Sequence, residues 1–283
     1  MPELPEVESI KLQLQKFLVG HKIEKVEVKN PRLWTGDVKT IEGAKVKDVR
    51  RFAKVLSIDL DNNHSIVIHI KLTGQILYRG PNLKEVPELS KKVLGGIPGI
   101  HTHVIFHLDK GGVLYYNDVR RFGWLKVVHT DKLLEENEFI SKLGPEPFKD
   151  LTLEKFKEIL KRGNRPIKVL IMDQAKMGGI GNIYANDALW LAKINPETKA
   201  KEIKEKDMEA LFDAIESVLK EGLKYGGSSE LAYVTPNGSE GQYQRHTLSY
   251  GKEGTTCTRC KKGVFEKYFL AGRGTYICRI CQK

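Results

Sequence analysis

The cysteines are the residues whose spacing points most directly to chemistry. The 283-residue chain has four of them in two Cys-x2-Cys pairs, Cys257 with Cys260 and Cys278 with Cys281, and seventeen residues separate the pairs. Two such pairs can place four thiolates tetrahedrally around one Zn²⁺, and because four protein ligands fill the shell, the metal would be structural and not catalytic. The sequence therefore predicts one structural zinc ion, with unliganded thiols as the alternative.

The segment between the two cysteine pairs carries basic residues suited to phosphate. It contains Lys267 and the run Ala-Gly-Arg-Gly at residues 271–274, which predicts a β-hairpin with a guanidinium at its tip. A planar guanidinium can bond two phosphate oxygens at once. We therefore expect Arg273 to take part in phosphate recognition.

The N-terminus offers a second reactive group. Initiator methionine is normally removed when the next residue is small, and removal here would expose the secondary amine of Pro2. The neutral amine is a nucleophile toward an aldehyde-level carbon and forms an iminium, while the adjacent carboxylate of Glu3 can move protons. The alternative is an ordinary helix start with two incidental prolines.

Two further segments have compositions suited to nucleic acid. Residues 118–123 follow a predicted strand and place two arginines and a phenylalanine on a loop, which can enter a stacked duplex with the ring as a wedge. Residues 178–184 (Gly-Gly-Ile-Gly-Asn-Ile-Tyr) form a glycine turn before a helix, where backbone N–H groups can hold a phosphate. For the second segment, a helical hairpin that only packs is the alternative.

Elements of two kinds must position these groups. From Ile23 to Lys126 short alternating runs predict a β-sandwich or barrel, with strands at residues 46–49, 55–60, 66–70, 104–108, 113–116 and 124–128. Farther along the period becomes helical, and helices are predicted at residues 155–160 after a Thr152 cap, from Pro166, at 183–192 and at 206–225. Apolar residues on one face after Pro5 predict a buried amphipathic helix at the N-terminus.

Charge narrows the class of partner. The formal net charge is +11 with a pI near 9.3, which indicates an anionic partner such as nucleic acid or a lipid surface. Residues 1–130 and 245–283 each carry a net +7, whereas residues 131–244 carry −3, so both ends of the chain are expected to face one polyanion. No apolar run is long enough to span a bilayer and the N-terminus does not read as a signal peptide, so we expect a soluble, cytoplasmic protein without a membrane partner.

Together the motifs make the chain similar to a known family. They are Pro2-Glu3-Leu4-Pro5-Glu6, Arg51-Phe52-Ala53-Lys54, residues 69–74 (His-Ile-Lys-Leu-Thr-Gly), residues 118–123, residues 143–147 (Leu-Gly-Pro-Glu-Pro), Asp173-Gln174 with residues 179–184, and Gly272-Arg273 in the cysteine element. In this order they resemble the formamidopyrimidine-DNA glycosylase family, bifunctional enzymes that excise oxidised bases. The resemblance spans essentially the whole chain.

The resemblance implies both a fold and an activity. The fold is α+β and multidomain, with an N-terminal catalytic β-sandwich and flanking helix (1–130), an interdomain linker (131–149), a helix-two-turn-helix domain (150–244) and a zinc-finger hairpin (245–283). The activity is excision of oxidised purines, such as 8-oxoguanine and formamidopyrimidines, from duplex DNA through a Pro2 Schiff base, with strand nicking by β,δ-elimination at the resulting abasic site. The implied partner is double-stranded DNA with oxidised bases or abasic sites, bound by a monomer.

The resemblance also implies roles for particular residues. Pro2 attacks C1′, Glu3 moves protons, Glu6 supports the site, Lys54 assists β-elimination, and Arg273 grips a phosphate and assists δ-elimination. Contacts with the DNA backbone are implied for His69, His101, Asn182, Tyr250 and Lys267. Arg120, Phe122 and Leu72 fill the gap that the flipped nucleotide leaves.

Two positions depart from the family pattern. Leu72 stands where a methionine is common, and residues 164–165 (Asn-Arg) replace a lysine-containing segment, so Arg162, Arg165 and Lys168 are alternative phosphate contacts, of which we take Arg165. Leu4 and the Arg-x-Phe wedge favour purine lesions over the endonuclease VIII branch, which acts on oxidised pyrimidines. A zinc-ribbon protein that binds nucleic acid without chemistry is the alternative from another class.

Overall fold

A computed structural model describes residues 1–283. The helices are α1 (Leu4–Leu18), α2 (Leu133–Glu136), α3 (Glu138–Ser141), α4 (Leu153–Lys161), α5 (Ile167–Ile171), α6 (Asn182–Leu191) and α7 (Glu205–Lys224). The strands are β1 (Ile23–Val28), β2 (Trp34–Thr35), β3 (Val46–Phe52), β4 (Val55–Leu60), β5 (His64–His69), β6 (Gly74–Arg79), β7 (Thr102–Leu108), β8 (Val113–Asp118), β9 (Trp124–His129), β10 (Glu266–Leu270) and β11 (Arg273–Ile277). None of the helices combines the length and apolar composition that crossing a membrane requires.

The chain divides into two compact units. The first contains Met1–Ser141 and Leu223–Gln244, and the second contains Lys142–Gly222 and Arg245–Lys283. This division differs from the expected organisation, which assigned residues 223–244 to the helical domain. The segment packs in the first unit because its backbone bonds there: the Ser228 N–H donates to Glu6 Oε1 at 2.8 Å, and Gln75 Nε2 donates to the Ala232 carbonyl at 2.6 Å.

The first unit is a β-sandwich, as expected. One sheet has the strand order β1-β7-β8-β6 and the other the order β2-β9-β5-β4-β3, with every neighbouring pair antiparallel except β2 and β9. Buried apolar side chains of both sheets and of α1 form one core, to which α1 contributes Val7, Ile10, Leu14, Phe17 and Leu18. These five apolar residues repeat at helical spacing along one face, so the predicted N-terminal amphipathic helix is confirmed.

The second unit begins with helices. Thr152 caps α4, accepting a hydrogen bond from the Lys155 N–H at 3.3 Å, as predicted. The long helix α7 approaches α6 so closely that a Cβ on Gly222 would lie 2.4 Å from the Tyr184 ring, and glycine is therefore required there. The four predicted helices of this unit are all present, with ends shifted by one or two residues.

The second unit ends in the predicted hairpin. Strands β10 and β11 pair antiparallel with Leu270 opposite Arg273, so only Ala271 and Gly272 form the turn. Both turn residues have positive φ, 48° and 73°, which is the requirement of a two-residue type I′ hairpin. Arg273 therefore emerges beside the tip, where its side chain is exposed.

Candidate functional site

Two buried carboxylates meet at the first turn of α1. Glu3 is the N-cap and Glu6 is the third helical residue, and they form a capping box in which the Glu3 N–H donates to Glu6 Oε2 at 2.7 Å. The side chains are only 3% and 1% exposed. The positive end of the helix dipole favours negative charge at this position. The sequence Pro-Glu-Leu-Pro-Glu thus folds so that both carboxylates lie beside the chain terminus.

Glu6 also fastens the segment that follows α7. Its second oxygen, Oε1, accepts the Ser228 N–H, and the Tyr233 hydroxyl donates to the Gly226 carbonyl at 2.9 Å and lies 3.3 Å from the Glu6 carbonyl. Gly227 makes this approach possible, because it has φ +85° and a Cβ there would lie 2.8 Å from Glu6 Oε1. The Gly- and Ser-rich composition of residues 226–241 marks this segment as a candidate loop over the flipped base, but the bonds of Ser228 and Tyr233 to Glu6 have no signal in the sequence.

The terminal amine is held in this environment. Burial lowers the pKa of the Met1 amino group, the charges of Glu3 and Glu6 act against this shift, and the charge of Lys54 adds to it. Lys54 lies in the turn between β3 and β4, after Ala53 with φ +50°, and its side chain is buried. The structure therefore brings Glu3, Glu6 and Lys54 together around the N-terminus.

His69, at the end of β5, is neutral in this structure. Burial lowers its pKa to about 3, and the charges of Lys71 and Lys54 contribute. Its Nδ1 accepts the Lys71 N–H at 3.1 Å, so the proton of the neutral ring is on Nε2, which can donate. The ring packs edge-on against Phe139 and Trp124, with centroids 5.0 and 5.8 Å away.

The loop at residues 118–123 is pinned by Asp118. This buried carboxylate accepts the Arg120 N–H at 3.2 Å and the Gly123 N–H at 2.8 Å. The Arg120 guanidinium lies 4.5 Å from the centre of the Phe122 ring, and Phe122 is 56% exposed. The two predicted wedge residues thus form one exposed cation–π pair on a fixed loop.

The other predicted contacts of this unit lie close to the loop. Leu72 is half-buried in the turn before β6, and its neighbour Thr73 donates to Asp118 Oδ1 at 2.5 Å, which joins that turn to the wedge loop. His101 is half-buried before β7, and its carbonyl accepts the Asp118 N–H at 3.0 Å. Asp118 therefore links both predicted contacts to the wedge loop.

The second unit places its predicted contacts on the hairpin and on α6. Asn182 is the first residue of α6, after the glycine turn. On the hairpin, the Lys267 amine lies 5.7 Å from the Tyr276 ring, which in turn packs against Tyr250 at 5.1 Å. Lys267 also forms an ion pair with Glu253 at 3.5 Å.

The three alternative phosphate contacts of this unit have different surroundings. Arg165 is exposed and forms an ion pair with Asp173, and Arg162 lines the same shallow cavity of about 240 Å³ as Arg165. Lys168 is buried, and its amine donates at 2.8 Å to both the Gly274 carbonyl and Thr275 Oγ1. Lys168 therefore holds the backbone of the hairpin next to Arg273.

The four cysteines converge as the spacing predicted. Their sulfur atoms lie within 4.8 Å of one another, with Cys257 Sγ 3.7 Å from Cys281 Sγ and Cys260 Sγ 3.8 Å from Cys278 Sγ. A tetrahedral thiolate site with metal–sulfur bonds of about 2.3 Å has sulfur–sulfur edges of about 3.8 Å. The cluster therefore has the dimensions of a four-thiolate metal site.

Neighbouring residues fix the cysteine cluster in the unit. A Cβ on Gly263 would lie 2.6 Å from Cys278 Sγ, so only glycine fits there. The Arg259 guanidinium lies 4.0 Å from the centre of the Trp190 ring and donates to the Trp190 and Leu191 carbonyls at the end of α6. Trp190 itself packs in the apolar cluster that contains two of the cysteines.

Known proteins share this architecture. Residues 1–125 match the family model described as the formamidopyrimidine-DNA glycosylase N-terminal domain, and residues 143–233 match the formamidopyrimidine-DNA glycosylase H2TH domain. The formamidopyrimidine-DNA glycosylase of Rickettsia africae (strain ESF-5) is 39% identical over 287 residues, covering 100% of this chain and 99% of the relative. This chain belongs to the formamidopyrimidine-DNA glycosylase family.

Other formamidopyrimidine-DNA glycosylases agree in length and fold. The relative from Heliobacterium modesticaldum is 34% identical, with complete coverage of both chains. The MutM (Fpg) protein from Thermus thermophilus has a TM-score of 0.86 at 32% identity, covering 99% of this chain and 98% of that chain. Lactococcus lactis Fpg in complex with DNA that contains an abasic site has a TM-score of 0.86 at 33% identity, covering 99% of both chains. The predicted family and fold class are therefore confirmed.

Proposed function

We propose that this protein excises oxidised purines, such as 8-oxoguanine and formamidopyrimidines, from duplex DNA and cuts the strand at the resulting abasic site. The observation that carries the proposal is the meeting of three buried ionisable side chains, Glu3, Glu6 and Lys54, around the N-terminal amine, whose pKa is lowered by desolvation. Family membership supports it, as do the similar Lactococcus lactis structures, which hold DNA with an abasic site or an N7-benzyl-Fapy-dG.

The proposed chemistry begins after removal of Met1. The Pro2 nitrogen attacks C1′ of the damaged nucleotide and the bond from C1′ to the base breaks, so that the base leaves with the proton that the Pro2 nitrogen loses. The C1′–O4′ bond then breaks as protonated Glu3 gives its proton to O4′. The opened sugar is then an iminium on Pro2. A lowered amine pKa favours the neutral nucleophile, and desolvation of this end of the chain, already acting on Met1, would act in the same direction on Pro2.

Two eliminations follow from the iminium. In the β-elimination the C2′ proton, which the iminium makes acidic, passes to water, the C3′–O bond breaks and the 3′ phosphate leaves, and Lys54 assists this step with its buried cation. In the second elimination C4′ loses its proton to water and the C5′–O bond breaks, so that the 5′ phosphate leaves with the help of Arg273. Water then hydrolyses the iminium and releases the sugar from Pro2. Glu6 positions Glu3 through the capping box and does not itself have to touch the sugar.

DNA binding is assigned to groups that face solvent or can donate to phosphate. Arg120, Phe122 and Leu72 occupy the gap left by the flipped nucleotide, and Arg120 meets the unpaired base. Contacts with the backbone are proposed for His69, His101, Arg165, Asn182, Tyr250 and Lys267. Because His69 is neutral, its contribution is a hydrogen bond from Nε2 and not a charge.

The metal proposed for the cysteine cluster is a single Zn²⁺. Cys257, Cys260, Cys278 and Cys281 would hold it, and it would cross-link the base of the hairpin without taking part in the reaction. The sulfur–sulfur distances of 3.7 and 3.8 Å fit this metal. Metal analysis of the purified protein by mass spectrometry is expected to give one zinc per chain, and the protein is expected to be a monomer by sedimentation.

Borohydride trapping tests the proposed function. Reduction during the reaction with an 8-oxoguanine·cytosine duplex converts the iminium into a stable amine, so a covalent protein–DNA adduct is expected. Pro2→Gly keeps a terminal amine but changes its basicity and geometry, and it is expected to bind DNA yet lose most cleavage. No adduct from the wild-type protein would exclude the Schiff-base enzyme and favour a zinc-ribbon binding protein, and an adduct only with oxidised pyrimidines would exclude the purine assignment.

A further inference from the structure

A second polar cavity lies in the first unit, apart from the N-terminal amine. It has a volume of about 630 Å³, and its lining includes Lys29, Asn30, Arg32, His103 and Arg121. The cavity opens between the end of β1 and the loop that carries Arg120 and Phe122. The proposed chemistry uses none of these lining residues.

The charge of this cavity is of one sign. Three of the lining side chains are the cations Lys29, Arg32 and Arg121, and no lining residue is a carboxylate. None of the three forms an ion pair with a carboxylate elsewhere in the structure. All three cations are exposed, so they give this opening a positive potential that favours an anion with several oxygens.

The backbone holds the first two cations in place. The N–H groups of Lys29 and Asn30 donate to the His103 carbonyl at 2.8 and 3.3 Å, which ties the end of β1 to the start of β7. Asn30 Oδ1 then accepts the Arg32 N–H at 3.2 Å. The segment that carries Lys29 and Arg32 is thus a built turn.

Arg121 is held in the cavity by its loop. It has φ +58°, a left-handed conformation that costs a residue with a side chain about 1–2 kcal/mol. The Asp118 carboxylate enforces this conformation because it binds the N–H groups of Arg120 and Gly123 on either side. Arg120 and Phe122 stack on each other, while the residue between them lines the cavity.

We propose that this cavity binds a phosphodiester of the strand opposite the lesion. This inference rests on the proposed function, in which Arg120 enters the duplex and meets the unpaired base. The strand of that base is then the polyanion nearest to Arg121, whose planar guanidinium can bond two phosphate oxygens. His101, a proposed backbone contact, lies in the sequence between the lining residues Ile100 and Thr102, and the lining residue Arg121 lies between the proposed wedge residues Arg120 and Phe122.

The test removes either a phosphate charge from the DNA or the Arg121 charge from the protein. Duplexes with 8-oxoguanine opposite cytosine receive one uncharged methylphosphonate linkage, moved position by position along the undamaged strand, and affinity is measured by fluorescence anisotropy at several salt concentrations. Arg121→Ala is expected to weaken binding about 5- to 30-fold and to reduce the slope of log affinity against log salt by about 1. Arg121→Lys keeps the charge and is expected to restore the slope. Lys39→Ala removes an exposed cation of the same unit outside the cavity and serves as the matched control.

The decisive result is non-additivity. One methylphosphonate position is expected to weaken binding by the wild type and by Lys39→Ala but to have no further effect on Arg121→Ala. The proposal is overturned if every position affects wild type and Arg121→Ala equally, if the sensitive linkage lies only in the damaged strand, or if Arg121→Ala matches Lys39→Ala. These readouts are independent of trapping: a wild-type protein that gives no borohydride adduct refutes the proposed chemistry, whatever the binding pattern.

Discussion

Replacing Glu6 by glutamine tests whether this carboxylate joins α1 to the segment after α7. The carboxylate accepts two buried N–H groups, from Glu3 at 2.7 Å and from Ser228 at 2.8 Å. Glutamine has a single acceptor oxygen, so one of the two N–H groups would face an NH₂ donor. Hydrogen bonds to a charged group contribute about 1.5–3 kcal/mol each, and a buried donor left without an acceptor costs about 1–3 kcal/mol. We therefore expect Glu6→Gln to lower the free energy of unfolding of the first unit by about 2–4 kcal/mol.

Two measurements follow from that magnitude. For a domain of this size a loss of 1 kcal/mol lowers Tm by about 2–4 °C, so calorimetry is expected to show a fall of about 5–15 °C in the transition of the first unit. Hydrogen exchange by mass spectrometry is expected to accelerate at least tenfold in the peptide that contains Ser228, since each 1.4 kcal/mol corresponds to about one factor of ten. The expected change is larger at Ser228 than in β4 or β5, because the bond lost is local.

A matched control separates the buried bonds from charge removal alone. Glu24 is exposed on β1 in the same unit, so Glu24→Gln removes an equal charge without opening a buried hydrogen bond. Its Tm is expected to stay within about 2 °C of the wild type, as is usual for surface substitutions. If Glu6→Gln lowers Tm no more than Glu24→Gln and leaves the exchange of the Ser228 peptide unchanged, the role assigned to Glu6 is refuted.

Three further perturbations have expected outcomes. Gly227→Ala is expected to lower the free energy of unfolding, measured with urea, by about 1–3 kcal/mol more than Gly20→Ala does. The two glycines have similar φ, +85° and +87°, but only at Gly227 would a Cβ lie 2.8 Å from Glu6. Equal losses of stability would contradict the packing argument. His69 has a pKa of about 3 in the folded chain against about 6.5 unfolded, so only the unfolded state gains a proton between pH 7 and pH 5, and the free energy of unfolding is expected to fall by about 2 kcal/mol over this range. His69→Gln is expected to reduce this pH dependence. A pH profile identical to that of the wild type would refute a neutral His69. Cys260→Ser or a chelator is expected to release the metal, shift the Trp190 fluorescence and lower the free energy of unfolding of the second unit by several kcal/mol, while the first unit keeps its Tm. If chelation leaves the unfolding of the second unit unchanged, the metal does not stabilise this fold.

Sequence patterns predicted most of the helices and strands, including β4, which is buried on both faces. The helix α1 was predicted from the five apolar residues that repeat along one face and enter the core, whereas Leu12, off that face, is exposed. Strand β6 was not predicted, because it begins with Gly74 and the polar Gln75. Both are buried all the same, since the Gln75 side chain donates to the carbonyls of Lys92 and Ala232, which are distant along the chain. The segment after α7 causes this burial, as the Tyr78 N–H donates to the Pro236 carbonyl at 2.8 Å.

Strand β1 was missed for a different reason. Its pairing with β7 shifts register between Ile23 and Lys25, so the period of two breaks within six residues. A bulge of this kind is decided by the partner strand and leaves no mark on the sequence of the strand itself.

The candidate site also contains features that could be predicted from the sequence and features that could not. The cysteine cluster could be predicted because its four ligands follow a local spacing, and the capping box could be expected because Glu3 and Glu6 are one helical turn apart. The partners of Glu6 could not, since Ser228 and Tyr233 lie more than two hundred residues away along the chain. Only the folded chain brings a carboxylate of the first helix to an amide that follows the last one.

The capping box at the start of α1 limits which substitutions at Glu3 can stabilise this protein without loss of activity. Serine, threonine, aspartate and asparagine are better N-caps than glutamate, so a stability screen would favour replacing Glu3, yet the same carboxylate is proposed to move the proton of the reaction. Selection for thermal robustness and selection for turnover therefore act in opposite directions on this residue. Mutant libraries designed for a more thermostable variant should keep the first turn of α1 unchanged and randomise exposed helix positions such as those of α7.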